Sequence, residues 1–165
     1  ESLNLAQLWM VPAVFVCENN RWSESTPQWQ HQPIKDLTKR ALAFDMHALH
    51  VDGQDVEAVH LAALDALAYA RSGKGPVLLV CETERLTGHY IGDAQNYRDK
   101  AELRRLRETR DPITNLRARL DLDDEQWTRL ENEAQRVADD ALAFALAATD
   151  PEPSDALKHV YAEDS

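Results

Sequence analysis

Cysteine and long hydrophobic runs are both scarce in this sequence. Only two of its 165 residues are cysteines, too few for the disulfide framework that stabilises small secreted domains. We therefore expect a reducing, cytoplasmic setting. The longest apolar runs extend over Met10 to Cys17 and Ala141 to Ala148, and both fall far short of the roughly 20 residues that cross a bilayer as a helix. No membrane association is expected.

Positive charge is also in short supply. Lysine and arginine total 18 against 29 aspartates and glutamates, which gives a formal net charge of −11. This balance argues against nucleic acid as a partner, because proteins bind phosphate backbones chiefly through clustered lysine and arginine. Glycine-rich nucleotide loops, a serine-hydrolase elbow and zinc-ligand spacings are absent too. The composition leaves room for one local anion site.

Strand-like and helix-like segments alternate along the chain. After an opening helix, an apolar segment rich in β-branched residues ends at Asn19-Asn20, and a shorter strand is predicted at His47 to Val51. The segment Val77 to Glu82 is continuously apolar as far as Cys81, which is typical of a strand buried on both faces. Because helices separate these strands, they should pair in parallel. We predict an α/β fold in which a parallel sheet flanked by helices (residues 1–98) carries a helical C-terminal region (residues 99–165).

Capping residues mark where the helices begin. Asp55 precedes apolar residues at helical spacing, and Asp111 is followed by proline at a first helical position. Asp123 with Gln126 resembles a capping box and predicts a helix that continues to about Ala148. The remaining segments predict helices at 34–44 and 100–110 and long loops at 21–33 and 83–98.

Two of the predicted strands end alike, in Cys17-Glu18-Asn19 and in Cys81-Glu82-Thr83. Open α/β sheets bind ligands beyond the carboxyl ends of their strands. The two loops that follow are therefore expected to share one mouth. The asparagine pair at 19–20 has two readings, because such pairs usually form turns but also offer amide oxygens to a hard cation.

The second loop holds two further candidates. Arg85 could balance a phosphate group or merely pair with Glu82 or Glu84. His89 follows a glycine, and a loop histidine is either solvated or functional. The residues alone leave these alternatives open.

Several segments, taken in order, resemble the alpha subunits of thiamine diphosphate-dependent 2-oxo acid dehydrogenases. The opening ESLNLAQLWMVPAVFVCENN is similar to the second half of that family's cofactor motif, which begins with Gly-Asp-Gly and closes with Asn-Asn. VDGQDVEAV and GKGPVLLVCETERLTGH resemble two further family segments. DAQNYR, Asp111-Pro112-Ile113 and the closing HVYAE also match. The resemblance covers essentially the whole chain and implies the α/β fold of a thiamine diphosphate-binding domain.

The loops are most similar to those of acetoin dehydrogenase alpha subunits. WSESTP and GHYIGDAQNYR carry this similarity. Relatives that use pyruvate or branched-chain 2-oxo acids usually have a serine-rich loop where Tyr90 and Gly92 stand here. The resemblance implies an enzyme that cleaves acetoin, works with a beta subunit and passes a two-carbon unit to a lipoyl acyltransferase. The alternatives are a pyruvate or branched-chain 2-oxo acid dehydrogenase, or a non-catalytic half-subunit that acts as an interaction module.

The resemblance also assigns roles to individual residues. It implies that the Asn20 side chain and the Trp22 backbone carbonyl bind Mg²⁺, which bridges the cofactor's diphosphate. Arg85 and His89 would lie over the diphosphate and the reacting centre, where His89 donates a hydrogen bond or moves a proton. Three residues would order the loop without taking part in the chemistry: Asp93, Tyr97 and Arg98.

Two departures from the family pattern limit what this chain should do alone. Family members usually have tyrosine at the position of Glu84. At the position of Trp22, tyrosine is also more usual than tryptophan. The Gly-Asp-Gly half, whose aspartate is a magnesium ligand in the family, is absent from the sequence. We therefore expect this chain to be the C-terminal portion of an alpha subunit. On its own it should be inactive, bind thiamine diphosphate poorly and associate with other chains. Apolar surface is expected at Trp9, Phe15 and Trp127.

Overall fold

A computed structural model gives the fold of the chain and describes residues 1–158. Two compact units are present, Glu1–Leu120 and a second that begins at Asp121. The HVYAE segment lies outside the described residues. The elements are α1 (Ser2–Leu8), β1 (Val14–Asn19), β2 (Trp22–Ser23), β3 (Thr26–Pro27), α2 (Gln28–His31), α3 (Lys39–Leu42), β4 (His47–Asp52), α4 (Val56–Tyr69), β5 (Val77–Glu82), α5 (Lys100–Arg110), α6 (Pro112–Arg117) and α7 (Asp124–Ala147), with short helical turns at Ala70–Lys74 and Pro153–Leu157.

The main sheet has three parallel strands in the order β1-β5-β4. Val77 of β5 is in register with Val14 on one side and with His47 on the other, so the strands begin level with one another. A separate antiparallel pair joins β2 to β3. The predicted α/β class, with a parallel sheet flanked by helices, is confirmed.

The central strand β5 forms the core of the first unit. Val77, Leu79 and Val80 are almost fully buried, as expected for a continuous apolar strand with partners on both sides. Alternate residues of the strand point to opposite faces, and Val80 packs in a buried cluster with Ala41 and Met46. Burying a side chain such as Leu79 stabilises the fold by about 1.5–3 kcal/mol.

The predicted helix starts are confirmed. The carboxylate of Asp55 accepts hydrogen bonds from the backbone N–H groups of Glu57 and Ala58, both at 3.1 Å. The Asp111 carboxylate accepts a hydrogen bond from the backbone N–H of Ile113 at 2.9 Å. Asp123 and Gln126 form a reciprocal capping box at the start of α7. These bonds satisfy N–H groups that have no partner inside a helix.

Two segments differ from the prediction. The helix expected at 34–44 is reduced to Lys39–Leu42, because the Asp36 carboxylate accepts from the Thr38 N–H at 3.0 Å and its hydroxyl at 2.6 Å. This local turn competes with helix formation. The loop expected at 21–33 contains the hairpin β2–β3 and the short helix α2.

The first compact unit extends to Leu120 and includes α5. The predicted division between residues 98 and 99 stays a prediction. Leu103 and Leu106 of α5 are buried. At the end of α5, the Arg110 guanidinium binds the Asp52 carboxylate through two hydrogen bonds of 2.6 and 3.0 Å. This ion pair joins the end of α5 to the end of β4.

The three tryptophan and phenylalanine residues expected at the surface differ in exposure. Trp9 is 67% exposed, in agreement with the prediction. Phe15 is half-buried and packs against the buried cluster. Trp127 is half-buried.

The second unit is dominated by α7, whose surface charges pair along the helix. Arg136 binds Glu133 at 2.6 Å and Asp140 at 2.7 Å, at the spacings that bring side chains together on a helix. Three large apolar side chains recur every seven residues along α7 and are more than half exposed: Leu130, Val137 and Phe144. Within residues 1–158, no helix is long and apolar enough to cross a membrane.

Candidate functional site

The carboxyl ends of the three parallel strands lie side by side. Glu82, the last residue of β5, is in register with Asn19 of β1 and with Asp52 of β4. The loops that follow β1 and β5 therefore leave the sheet at one edge, and they touch where the Trp22 and Tyr97 rings lie 5.5 Å apart. The prediction that they share one mouth is confirmed.

The loop after β1 turns through two successive asparagines. The side-chain oxygen of Asn19 accepts from the N–H of Arg21 at 3.2 Å, and that of Asn20 accepts from the N–H of Trp22 at 2.9 Å. Arg21 adopts a positive φ of 63°, a conformation that side chains disfavour. Trp22 then pairs with Pro27 in the small hairpin. The turn thus presents the Asn20 amide and the Trp22 backbone next to each other.

In the second loop, Asp93 organises the chain around it. Its carboxylate accepts from the Tyr97 hydroxyl at 2.5 Å and from the backbone N–H groups of His89 and Gln95 at 2.8 Å. The Tyr97 hydrogen bond, followed by these two N–H groups, lowers the pKa of Asp93 from 3.8 to about 2. The same bond raises the pKa of Tyr97. The carboxylate is therefore ionised at neutral pH and holds the loop together, which confirms the ordering role expected for Asp93 and Tyr97.

Arg85 and Arg98 both lie close to the Trp22 ring. Their guanidinium carbons lie 5.8 and 5.1 Å from the Trp22 ring centroid, within the range of a cation–π interaction. Arg85 also donates to the Tyr97 hydroxyl at 2.7 Å, and Arg98 donates to the Arg85 backbone carbonyl at 2.6 Å. Burial and then the charge of Arg85 lower the pKa of Arg98. An acidic protein thus has a local concentration of positive charge here.

One donor in this cluster is unsatisfied. The Nε–H of Arg85 is buried and has no hydrogen-bond partner among the described residues. A buried donor without a partner carries a free-energy cost. An anionic oxygen placed against this nitrogen would remove the cost, so the cluster is suited to bind an anion.

Arg85 does not pair with the acids that the sequence offered as alternatives. Its described hydrogen bond goes to the Tyr97 hydroxyl. Glu82 and Glu84 are instead 3.4 and 3.5 Å from the Arg21 guanidinium. The charge of Glu84 is therefore directed toward the first loop.

His89 is joined to the site only through its backbone, in the contacts that the structure gives. Its N–H donates to Asp93, as described above, and the residue itself is exposed. The structure thus brings together Asn20, Trp22 and Arg85 but leaves the His89 imidazole at the surface of the same loop. The roles of these four residues stay predictions.

Sequence reasoning did not identify the polar group at the strand ends. The Glu82 carboxylate accepts from the Asn19 side-chain amide at 3.1 Å and lies 3.3 Å from Nε2 of His50. A carboxylate at the end of an apolar central strand is the only sequence signal that pointed to this group. Its partners become visible only when the strand register is known.

An open cleft adjoins these residues. It has a volume of about 750 Å³ and is lined by Trp22, Trp29, Glu82 and Arg98 among others. Ligand sites in proteins commonly have volumes of about 300–1,000 Å³. The cleft combines aromatic faces with charges of both signs, so it has room for a small organic molecule.

The oxygen atoms at the turn after β1 could supply only part of a magnesium site. The Asn20 side-chain oxygen is of the type that Mg²⁺ binds, and Pro27 opposite Trp22 has no N–H to donate to a carbonyl. Among residues 1–158, however, no group of three or more histidine, cysteine, aspartate or glutamate side chains could hold a metal. A magnesium ion would therefore need further oxygen ligands, such as a diphosphate and residues from outside this set.

Comparison with known proteins identifies a family whose sequence profile matches the chain. Residues 1–154 match the profile of the family described as "Dehydrogenase E1 component". The chain is 36% identical over 159 residues to the pyruvate dehydrogenase E1 component subunit alpha of Rhizobium meliloti, covering 93% of this chain and 44% of that protein.

Two bacterial relatives carry a different name. The alpha subunits of acetoin:2,6-dichlorophenolindophenol oxidoreductase from Bacillus subtilis and Cupriavidus necator are both 38% identical to the chain. Each match covers 98% of this chain, with 49% of the Bacillus subtilis protein and 50% of the Cupriavidus necator protein. The chain spans about half the length of the curated relatives it matches. By the extent of these matches, the chain belongs to the dehydrogenase E1 component family.

Proposed function

We propose that this chain is the C-terminal portion of the alpha subunit of a thiamine diphosphate-dependent, acetoin dehydrogenase-like enzyme. In this proposal residues 1–98 contribute to the cofactor-binding domain and residues 99–165 form the helical C-terminal region. The observation that carries the proposal is the contact of Trp22 with Arg85, 5.8 Å from guanidinium carbon to ring centroid. It joins the two loops to which the family resemblance assigns the metal and the diphosphate.

The chain's own residues have separate tasks at this site. The Asn20 amide oxygen and the Trp22 carbonyl hold Mg²⁺, and the unsatisfied Nε–H of Arg85 donates to a diphosphate oxygen. Thiamine diphosphate, when bound, supplies the electron sink for carbon–carbon bond cleavage. His89, on the exposed loop, donates a hydrogen bond or moves a proton at the substrate oxygen. The cations neutralise the diphosphate within an otherwise acidic chain.

Acetoin is the proposed substrate, and the loops support this choice. GHYIGDAQNYR places Tyr90 and Gly92 where a serine-rich loop is usual in pyruvate and branched-chain members. The names of the Bacillus subtilis and Cupriavidus necator relatives include acetoin. Pyruvate is the second candidate because the Rhizobium meliloti relative is named for it.

Other chains complete the enzyme in this proposal. A beta subunit forms a heterotetramer with the alpha subunit, and a lipoyl acyltransferase accepts the two-carbon unit. The exposed side chains of Leu130, Val137 and Phe144 on α7 support a contact with another subunit, since contiguous apolar surface marks interfaces. The two free cysteines agree with a cytoplasmic enzyme.

A hybrid subunit tests the activity directly. This chain replaces the matching half of the Bacillus subtilis alpha subunit, and the hybrid is expressed with that enzyme's beta subunit. Co-purification and circular dichroism establish that the hybrid assembles and folds. We expect acetoin to reduce 2,6-dichlorophenolindophenol only when thiamine diphosphate and Mg²⁺ are both present, and pyruvate to be a poorer substrate.

The matched control is the same hybrid with Asn20→Ala, which should lose most of this activity. A folded, assembled hybrid that is inactive with acetoin, pyruvate and branched-chain 2-oxo acids would refute the proposal. If the hybrid used pyruvate in preference to acetoin, the proposed substrate would be wrong and pyruvate would take its place. The chain alone should show no turnover and only weak cofactor binding in calorimetry, and tight Mg²⁺-dependent binding would contradict that expectation.

A further inference from the structure

Glu82 ends the central strand and holds side chains from both neighbouring strands. Each of its carboxylate oxygens lies 3.1 Å from the Asn19 side-chain nitrogen, at the end of β1. One oxygen lies 3.3 Å from Nε2 of His50 in β4, and the other lies 3.4 Å from Nε of Arg21. One carboxylate thus connects all three strands with the turn that follows β1.

Asn19 extends these contacts into that turn. The residue is only 7% exposed, and its side chain bonds at both ends. Its amide nitrogen donates to Glu82, while its oxygen accepts from the N–H of Arg21 at 3.2 Å. Its backbone carbonyl also accepts from the N–H of Thr83 at 3.0 Å. Glu82 therefore holds the Asn19 side chain in place, and Asn19 in turn holds the start of the turn through the Arg21 N–H.

The turn needs such support because its backbone is strained. Arg21 lies at a positive φ of 63°, and non-glycine residues keep this conformation only where the surroundings impose it. Glu82 supplies two of those constraints, through Asn19 and through the Arg21 guanidinium. Without the carboxylate, the backbone between Asn19 and Trp22 would lose both of these constraints.

We infer that Glu82 is a positioning residue for the metal site, which sets the Asn20 amide oxygen and the Trp22 carbonyl in place through the Asn19 side chain. This inference rests on the proposed function. Glu82 does not itself bind the metal. Its effect is to preorganise two oxygen ligands, so the metal concentration needed for binding depends on it while the chemistry at saturating metal does not.

Amide hydrogen exchange in the full chain tests the structural step without any cofactor. In Glu82→Ala, the N–H groups of Arg21 and Trp22 should exchange about tenfold faster, because loss of a bond to a charged group frees the turn. Glu82→Gln keeps an oxygen for the Asn19 amide and should recover part of the protection. Glu18→Ala, which removes an exposed acid next to Asn19, should leave both amides unchanged. Equal exchange in Glu82→Ala and the wild type would overturn the inference.

Magnesium dependence in the assembled enzyme tests the functional step. The hybrid alpha subunit described above is combined with the Bacillus subtilis beta subunit, and activity is measured against Mg²⁺ concentration. Glu82→Ala should raise the Mg²⁺ concentration for half-maximal activity about tenfold, with Glu82→Gln intermediate. The maximal rate at saturating Mg²⁺ should stay within about twofold of wild type, as expected when only ligand positioning is lost.

The outcomes separate the two claims. A wild-type assembly without any requirement for Mg²⁺ and thiamine diphosphate would refute the proposed function. A Mg²⁺-dependent wild type, together with a Glu82→Ala enzyme whose half-saturating Mg²⁺ concentration is unchanged, would overturn only the role of Glu82. A lower rate at every Mg²⁺ concentration, with unchanged half-saturation, would also overturn that role.

Discussion

Replacing Gly53 with alanine should push the end of β4 away from the end of β5. A Cβ atom at this position would lie 2.9 Å from the backbone oxygen of Glu82, 2.5 Å from Cγ2 of Thr83 and 3.2 Å from Cβ of Cys81. The backbone oxygen cannot rotate away, and it already accepts the Gly53 N–H at 2.7 Å. The chain must therefore move at the strand ends that form the candidate site.

The expected loss of stability follows from two opposing effects. Overpacking of this kind costs about 1–3 kcal/mol. Alanine restricts the unfolded chain more than glycine does and returns about 0.4–1 kcal/mol. We predict that Gly53→Ala lowers the free energy of unfolding by about 1–2 kcal/mol. Urea denaturation followed by circular dichroism measures this difference as a lower midpoint at constant slope.

Gly92→Ala is the matched control. The new Cβ would meet only the Tyr90 ring, at 3.1 Å, and that ring is 63% exposed and can turn aside. The control should remain within about 0.5 kcal/mol of the wild type or become slightly more stable. If Gly53→Ala proved as stable as the wild type, or the control lost as much stability, the steric reasoning would be refuted.

Three further substitutions or reactions test other parts of the structure. Gln54→Leu should lower the free energy of unfolding by about 2–3 kcal/mol in urea denaturation, because the buried Gln54 amide bonds two backbone groups; an unchanged midpoint would contradict this. The lowered pKa of Asp93, about 2 against 3.8, stabilises the fold above about pH 4, and this contribution disappears as the pH falls toward 2. Asp93→Asn should therefore flatten the fall of Tm across this range, and an equally steep fall would argue against the Tyr97 bond. Burial raises the pKa of the Cys81 thiol, so it should react with a thiol reagent at neutral pH far more slowly than free cysteine, and rapid labelling of the folded chain would show the residue to be accessible.

The regular elements could be predicted because their signals are local. Val77 to Cys81 is a continuous apolar run, and a strand with partners on both sides needs that composition. The capping residues Asp55 and Asp123 fixed helix starts through bonds to N–H groups two or three residues away. The hairpin of two-residue strands escaped prediction, because it depends on positive φ angles at Arg21 and Glu24 that non-glycine residues rarely adopt.

The candidate site shows the same limit at longer range. The meeting of the two loops that hold Trp22 and Arg85 could be predicted, because parallel strands release their loops at one edge of the sheet. The contacts of Glu82 with Asn19 and His50 join residues 63 and 32 positions apart. They depend on strand order and register, which periodicity within one segment does not encode.

Calorimetric titration of thiamine diphosphate shows whether the turn at Asn20 holds the metal that the cofactor needs. The titration uses the assembled hybrid described above, with and without Mg²⁺, and compares the wild type with Asn20→Ala. We predict binding that requires Mg²⁺ and that weakens at least about tenfold in Asn20→Ala, since a ligand of the metal is lost. Cofactor binding that ignores Mg²⁺, or equal affinity in Asn20→Ala, would contradict the claim that this turn holds the metal.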